Sequence, residues 1–425
     1  MPWCVLEIVK SVRPSAPVWL DTPVVRDTDV FGALLGLSAD WVVRSVQLSH
    51  ETAEVFLLVE HVGKPVCPEC EKAAPVHDHS AERRWRHLDT MQYVTWVYCR
   101  APRVNCPEHG VKQLAIPWAG PKSRFTEIFE AVAIRMLQMT KCQARTARLL
   151  RLSPGQIHDI MHRAVKRGLD RRELSIIEHL SIDEKSFQRG HDFGTVLCDV
   201  REHRVIEVVR GRNEVAAKRA FAALPSPEKV KTITMDMAEA YRNAATLNLS
   251  QADVIHDRFH IAAMLGAAVD ATRRAEVKRS PELEGSRYVW LKNPENLTRR
   301  QRPVFEALMT TELKTAEAYA LKQTFQGFFE QEDVFEATQF FVQWRDEVKA
   351  RDVPRLHKVA ATLEQNLLGL LNYVKWKLTN GYAEAVNALI QEIKTVARGF
   401  RRFDNFRVAI LFFLGKLELN PRKCS

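Results

Sequence analysis

Apolar and polar positions begin to alternate at Trp41. Residues 41–62, "WVVRSVQLSHETAEVFLLVEHV", hold two β-rich runs around a polar turn and predict a hairpin. A second β-rich stretch, "QYVTWVYCRAPRV", follows at 92–104. From Phe125 to Leu169 the apolar repeat lengthens to the helical period. Between Leu180 and Val209 the pattern returns to strands, in "HLSIDEKSF", "FGTVLCDV" and "RVIEVVRG". A helix is then predicted over Asn213–Leu224, a strand at "KVKTITMD", a helix at "AEAYRNAATL" and a strand at "ADVIHD". Ile261 to about Leu378 is charged and helical in period, with no convincing strand, and a last helix begins near Tyr382. The residues before Asp29 hold several prolines and little periodicity, as an extension would. No internal repeat or low-complexity tract interrupts this order.

The helical stretch contains a sharper feature, "KCQARTARLLRLSPGQIHDIMHRAV" at 141–165. One helix runs to Leu150, and a new one starts after a short turn. Ser153 is a good N-cap, Pro154 suits the first helical position, and Gln156 completes a capping box. Ile157, Ile160, Met161, Ala164 and Val165 form the stripe to be buried. Gln156, His158, Asp159, His162, Arg163 and Lys166 are left on the open faces. A second helix with such a polar face is how a helix-turn-helix enters a major groove; an ordinary helical hairpin is the plainer alternative.

Charge supports the first reading. The 425 residues carry a net charge of +10, which attracts polyanions. Eight cysteines in so long a chain do not make a secreted disulfide scaffold. The start, "MPWCVLEIVK", lacks the basic cluster and apolar run of a signal peptide, and "VAILFFLG" is far too short to span a bilayer. The expectation is a soluble cytoplasmic protein with no membrane partner.

Two knuckles, Cys67-Pro-Glu-Cys70 and Cys106-Pro-Glu-His109, match each other down to the proline after the first cysteine. Zinc takes four soft or borderline ligands in a tetrahedron, and these two knuckles supply them. The β-rich segment between them would bring them together as a zinc ribbon. Four protein ligands leave no open position, so this Zn²⁺ is structural. His77, His79 and Cys99 lie between the knuckles and could replace one ligand.

A second constellation is acidic. "HLSIDEKSF" begins like a buried strand and then places Asp183 at its end, although Asp is depleted in strands. "KTITMDMAEAY" repeats the pattern with Asp236. Two strands of one sheet that end in carboxylates can set them side by side. Such like charges need divalent cations to neutralise them. Mg²⁺ (or Mn²⁺) suits the oxygen ligands, and a pair of ions can clamp both oxygens of an in-line phosphodiester displacement. Glu384, opening the helix in "NGYAEAVNALIQEIK", is the best third acid. Glu392, on the same helix, is rotated roughly 80° away and sits two turns further on.

These motifs together resemble one group. "FGALLGL", the knuckles, "SIDEKSF", "TMDMAEAY", "VIHDRFH", "WLKNPENLT", "NGYAEAVNALIQEIK" and "GFRRFDNFRVAILF" look, in this order, like the ISL-three family of bacterial insertion-sequence transposases. The resemblance covers roughly Phe31 to the C-terminus. It implies an α/β RNase H-like catalytic core with an all-helical insertion, preceded by a zinc ribbon and a helix-turn-helix. Asp183, Asp236 and Glu384 match the family's DDE triad. Asp257 and His260 match an acid-x-x-His signature of related enzymes, with His260 near the scissile phosphate; a buried histidine at a helix start is the plainer alternative. Around Glu384 the usual basic residue and Glu-Gly are replaced by Tyr382-Ala383-Glu384-Ala385. Trp290 is either an anchor of the insertion core or a base-stacking residue.

The resulting division is an extension at 1–29, a hairpin plus zinc ribbon at 30–118, and a helix-turn-helix domain at 119–172. The first part of the core follows at 173–260, a helical insertion at 261–378, and the second part of the core at 379–425. The expected function is cut-and-paste transposition. The helix-turn-helix (Gln156, His158, His162, Arg163, Lys166) would bind double-stranded terminal inverted repeats, and the acids would catalyse strand cleavage and transfer into target DNA. The resemblance further implies a homodimer or higher oligomer in the synaptic complex, nucleoid-associated when bound to DNA. Two other readings are a catalytically silent, zinc-dependent DNA-binding regulator derived from a transposase, and a housekeeping RNase H-fold nuclease. A converging acidic triad argues against the first, and the N-terminal recognition modules argue against the second.

Overall fold

The computed structural model describes residues 26–421 except 174, 175, 189, 191 and 380. Most of the expected N-terminal extension therefore lies outside the described residues; its last residues open the helix α1 (Asp27–Leu34). The described residues form two compact units, 26–135 with 420–421, and 136–419.

In the first unit, β1 (Trp41–Ser49) and β2 (Glu54–His61) form the expected antiparallel hairpin. Next come β3 (Val76–His79), β4 (Arg83–Thr90), β5 (Tyr93–Cys99), β6 (Pro102–Cys106) and β7 (Gly110–Gln113). One four-stranded sheet has the order β1-β2-β5-β4, and a small three-stranded sheet has the order β3-β6-β7. The β-rich segment between the knuckles is divided between these sheets: β6, at its end, pairs with β3 and β7 to form the small sheet of the ribbon. The β4–β5 hairpin joins β2 instead, through a parallel β2–β5 pairing. The reason is burial: Trp85 and Val97 complete an apolar core with Trp41, Leu57, Val59 and Trp118, which the tiny ribbon could not offer.

Helix α2 (Glu127–Thr140) carries the chain into the second unit, where α3 (Gln143–Leu149) and α4 (Pro154–Asp170) follow. Arg151, in the turn between α3 and α4, adopts the left-handed conformation with φ +54°. The predicted start of α4 is confirmed in detail. Ser153 Oγ accepts from Gln156 N, the Gln156 side chain accepts from Ser153 N, and Pro154 leads the helix.

The five-stranded sheet of this unit has the order β10-β9-β8-β11-β12. Its strands are β8 (His179–Ser186), β9 (Phe193–Asp199), β10 (Arg204–Arg210), β11 (Thr232–Met235) and β12 (Asp253–His256). β8, β9 and β10 are an antiparallel meander, whereas β11 pairs in parallel with both β8 and β12. Helices α5 (Glu214–Phe221) and α6 (Glu239–Asn248) bury Ala217, Phe221, Tyr241 and Ala244 against Leu180, Ile182, Leu197 and Ile233. The remaining helices are α7 (Arg258–Glu276), α8 (Arg287–Leu291), α9 (Gln301–Met309), α10 (Lys314–Phe325), α11 (Val334–Ala350), α12 (Pro354–Gln365), α13 (Leu367–Trp376), α14 (Gly381–Val396) and α15 (Phe403–Leu414).

α7 to α13 share one core with the end of β12, built on Trp290, Tyr319, Phe325, Phe328, Phe341 and Trp344. Trp290 is fully buried, and its Nε1 donates to Ser286 Oγ at 3.0 Å. It is a core anchor, and burial closes the base-stacking alternative. Helix α13 lies so close to β12 that a Cβ on Gly369 would stand 2.2 Å from the His256 ring. α14 and α15 cover the sheet face opposite α5 and α6, where Gly194 on β9 lets Phe403 and Phe406 approach.

Candidate functional site

Asp183 does not end its strand. β8 continues to Ser186, because β9 pairs with it as far as Ser186↔Phe193. What ends is the pairing with β11, whose last partners are Thr234↔Ser181. Asp183 and Asp236 are each two residues further along, so parallel register sets both at one level. β12 repeats the arrangement. Its last pair with β11 is Met235↔His256, which places Asp257 level with Asp236. Three neighbouring parallel strands thus carry an acid at the same height.

The surroundings of Asp183 oppose its charge. Burial comes first and the Asp236 and Glu184 carboxylates add to it; together they push its carboxyl up to about 6. Two donors hold it in place: Glu184 N to Oδ1 at 2.7 Å, and Asn387 Nδ2 to Oδ2 at 2.7 Å. The Asn387 Oδ1 is buried and has no partner. Asp236 accepts from Ala238 N at 3.0 Å. Asp257 is buried; it caps α7 by accepting from Phe259 N at 3.0 Å, and its Oδ2 lies 2.9 Å from His260 Nδ1. That bond, with the charges of Asp257, Asp236 and Asp183, raises His260 to about 9. An imidazolium therefore stands among the acids at neutral pH.

Glu384 lies in the first turn of α14 and is exposed, with its carboxyl raised by burial and by Asp257. Asp257, His260 and Glu384 therefore share one electrostatic neighbourhood, as do His260, Asp183 and Asp236. The expected triad is not drawn to coordination spacing. Among the described residues, the only group of three or more His, Cys, Asp or Glu whose ligand atoms all lie within 4.8 Å of one another is elsewhere. Asn387 lies three residues after Glu384 on the same helix, and its bond to Asp183 depends on the fold. Glu392 pairs with Lys141 at 2.9 Å, and both side chains are nearly half exposed.

The group within 4.8 Å is Cys67, Cys70, Cys106 and His109. Cys70 Sγ to Cys106 Sγ is 3.7 Å, and His109 Nδ1 is 3.8 Å from Cys67 Sγ and 3.6 Å from Cys106 Sγ. A tetrahedron with ordinary zinc bond lengths has ligand–ligand edges of about 3.5–3.8 Å. The donor set and its spacing fit structural zinc. Glu69 stands 3.6 Å from the outer nitrogen of His109, where a carboxylate orients a ligating ring. His77 and His79 are exposed on β3 and Cys99 is buried in the larger sheet, so none of the three enters this group.

Helix α4 is less open than its sequence suggests. Asp159 and Lys166 are exposed, but Gln156, His158, His162 and Arg163 are half-buried. The physical reason is α15, which packs against α4 and brings Asp404 and Asn405 up to His162. Lys166 pairs with Asp170 at 2.7 Å, and the Gln156 side chain is engaged in the cap. The His158 and His162 rings lie 4.2 Å apart. No helix among the described residues is long and apolar enough to cross a membrane.

Comparison with known proteins agrees with this layout. A family model described as "Transposase", for the DDE domain of ISL3 elements, matches residues 180–410. A model described as the zinc-finger of transposase IS204/IS1001/IS1096/IS1165 matches 63–109. The helix-turn-helix domain of transposase family ISL3 matches 114–165. The transposase for insertion sequence element IS1557 of Mycobacterium tuberculosis is 25% identical over 419 residues, covering 89% of this chain and 93% of that protein. The transposase for element IS1001 of Bordetella parapertussis is 25% identical over 357 residues, covering 81% and 87%. A zinc ribbon and a helix-turn-helix thus precede a DDE transposase domain that takes up more than half of the chain, and the protein belongs to the ISL3 family of transposases.

Proposed function

We propose that this enzyme binds the terminal inverted repeats of an insertion sequence and cleaves and joins DNA strands with Asp183, Asp236 and Glu384. The observation that carries the assignment is the shared level of Asp183 and Asp236 on adjacent parallel strands, beside a helix whose first turn bears Glu384. The sheet and its covering helices serve as an RNase H-like core, and α7 to α13 as the helical insertion within it. The domain limits follow the sequence division: 30–118, 119–172, 173–260, 261–378 and 379–425.

The acids fit Mg²⁺ or Mn²⁺, since a half-buried carboxylate beside two others is stabilised by a cation. Divalent ions held there would activate the attacking water or 3′-hydroxyl and offset charge on the phosphate. The chain itself does the rest. Asn387 and the Glu184 amide fix the Asp183 carboxylate, and Asp257 holds the His260 ring so that its outer N–H can face a phosphate oxygen. Gln156, His158, His162, Arg163 and Lys166 supply DNA contacts from α4. Two element ends are brought together by a homodimer or higher oligomer, associated with the nucleoid while on DNA.

The test compares two glutamates of α14. Glu384→Gln is expected to abolish cleavage and joining of inverted-repeat duplexes in Mg²⁺. Glu392→Gln is expected to keep most activity, since an exposed ion pair contributes about 0–1 kcal/mol. The opposite ranking would remove Glu384 from the triad.

A further inference from the structure

A groove of about 890 Å³ opens in the second unit between α3, the start of α4, and the segment joining α14 to α15. Its lining includes Lys141, Arg145, Arg148, His158, Arg398 and Arg401, and no aspartate or glutamate. Arg145 and Arg148 are three residues apart on α3, so both project from one face. Arg398 and Gly399 take positive φ values of 55° and 87°, turning the chain after α14 so that Arg398 and Arg401 reach the groove from the other side. All four arginines are exposed. Lys141 has Glu392, but among the described residues Arg145, Arg148, Arg398 and Arg401 make no ion pair. Unpaired guanidinium groups on both walls, with no acid between them, repel one another unless a polyanion lies between.

We propose that this groove seats the phosphate backbone of duplex DNA and so links the helix-turn-helix to the catalytic helix. The inference rests on the reading of the chain as an end-binding transposase and deepens it. It adds contacts outside α4, whose own polar face is partly covered by α15. One wall is α3 with the first turns of α4; the other is the C-terminal end of α14, the helix that presents Glu384 from its first turn, with the segment that follows it. Glu384 and Val396 are separated by about 18 Å along the helix axis at 1.5 Å per residue. That is about five base-pair steps at 3.4 Å each. A backbone held at the groove therefore enters the acid cluster within a short span of the bond to be broken.

The test uses the full chain with Arg145, Arg398 and Arg401 replaced together by alanine, and a parallel variant with lysine at the same positions. The probes are a duplex from the DNA flanking the gene, containing its terminal inverted repeat, and a scrambled duplex of equal composition. Each lost phosphate contact lowers the slope of log K against log salt by about 0.9, so the alanine variant is expected to lose about two to three units of slope. Preference for the repeat over the scrambled duplex should stay unchanged, because backbone contacts position without specifying sequence. The lysine variant should restore the slope. Wild-type binding together with an unchanged slope in the alanine variant would overturn the inference alone. An alanine variant that keeps its DNA slope but loses self-association would overturn it too, by assigning the groove to a second copy. A wild-type chain that binds neither duplex overturns both the inference and the reading beneath it.

Discussion

Asp183→Asn is expected to leave DNA binding intact and to lower strand cleavage in Mg²⁺ or Mn²⁺ by about three orders of magnitude or more, near 4 kcal/mol of transition-state stabilisation. The substitution keeps shape and removes only charge. Glu184 N can still donate to the remaining Oδ1. The Asn387 amide, now facing an NH₂ group, can turn over so that its unpartnered Oδ1 accepts from residue 183. Stability gives an independent readout in metal-free protein. Burial raises the folded pKa of Asp183 from 3.8 to about 6, an ionisation cost on the order of 3 kcal/mol. A carboxyl raised in the folded state binds more protons there than when unfolded. The cost is therefore absent below pH 3.8 and complete above about 6. Asp183→Asn should melt higher than wild type at pH 7 without divalent ions, with the gap closing towards pH 4. A variant that still cleaves would remove Asp183 from the chemistry; one that melts lower would refute the buried-charge account.

Cys70→Ser is expected to lose the zinc, from about one ion per chain to none by elemental analysis, and to weaken inverted-repeat binding by about tenfold or more. The ribbon has little else to hold it. Beyond Cys67 and Cys106, its buried residues are Ala74, Val104 and Leu114. Such a cluster cannot offset the conformational entropy of the segment, whereas structural zinc contributes about 10–16 kcal/mol in small zinc modules. A metal-free variant that binds the repeats at full strength would separate the ribbon from end recognition.

What was legible in the sequence was what local rules dictate. The two knuckles, the Ser153–Gln156 capping box and the strand–acid runs at Asp183 and Asp236 each carry their chemistry within a few residues. Strand β4 was missed because "RRWRHLDT" hides its buried positions. Arg86 and His87 are almost fully buried, with the Arg86 guanidinium donating to the carbonyls of His87 and Thr95. A buried arginine defeats apolar–polar alternation as a guide. Asp236 does follow the end of its strand, but Asp183 was misplaced by a few residues for a related reason. Strand pairing on one side of β8 outlasts pairing on the other, and no local pattern reports which edge ends first. Asp257 entered only through a resemblance, since its place beside Asp236 depends on the β11–β12 register. The cover that α15 lays over α4 joins residues some 240 positions apart, beyond any periodicity.

If Asp183, Asp236 and Glu384 hold the catalytic ions together, Fe²⁺ bound in place of Mg²⁺ will mark all three. Bound Fe²⁺ with ascorbate and peroxide generates hydroxyl radicals that cut the polypeptide where the ion sits. Cuts are expected beside Asp183, Asp236 and Glu384 in the DNA-bound protein, suppressed by excess Mg²⁺ and lost in Asp183→Asn. Cuts that leave the segment around Glu384 untouched, or that persist undiminished in excess Mg²⁺, would contradict it.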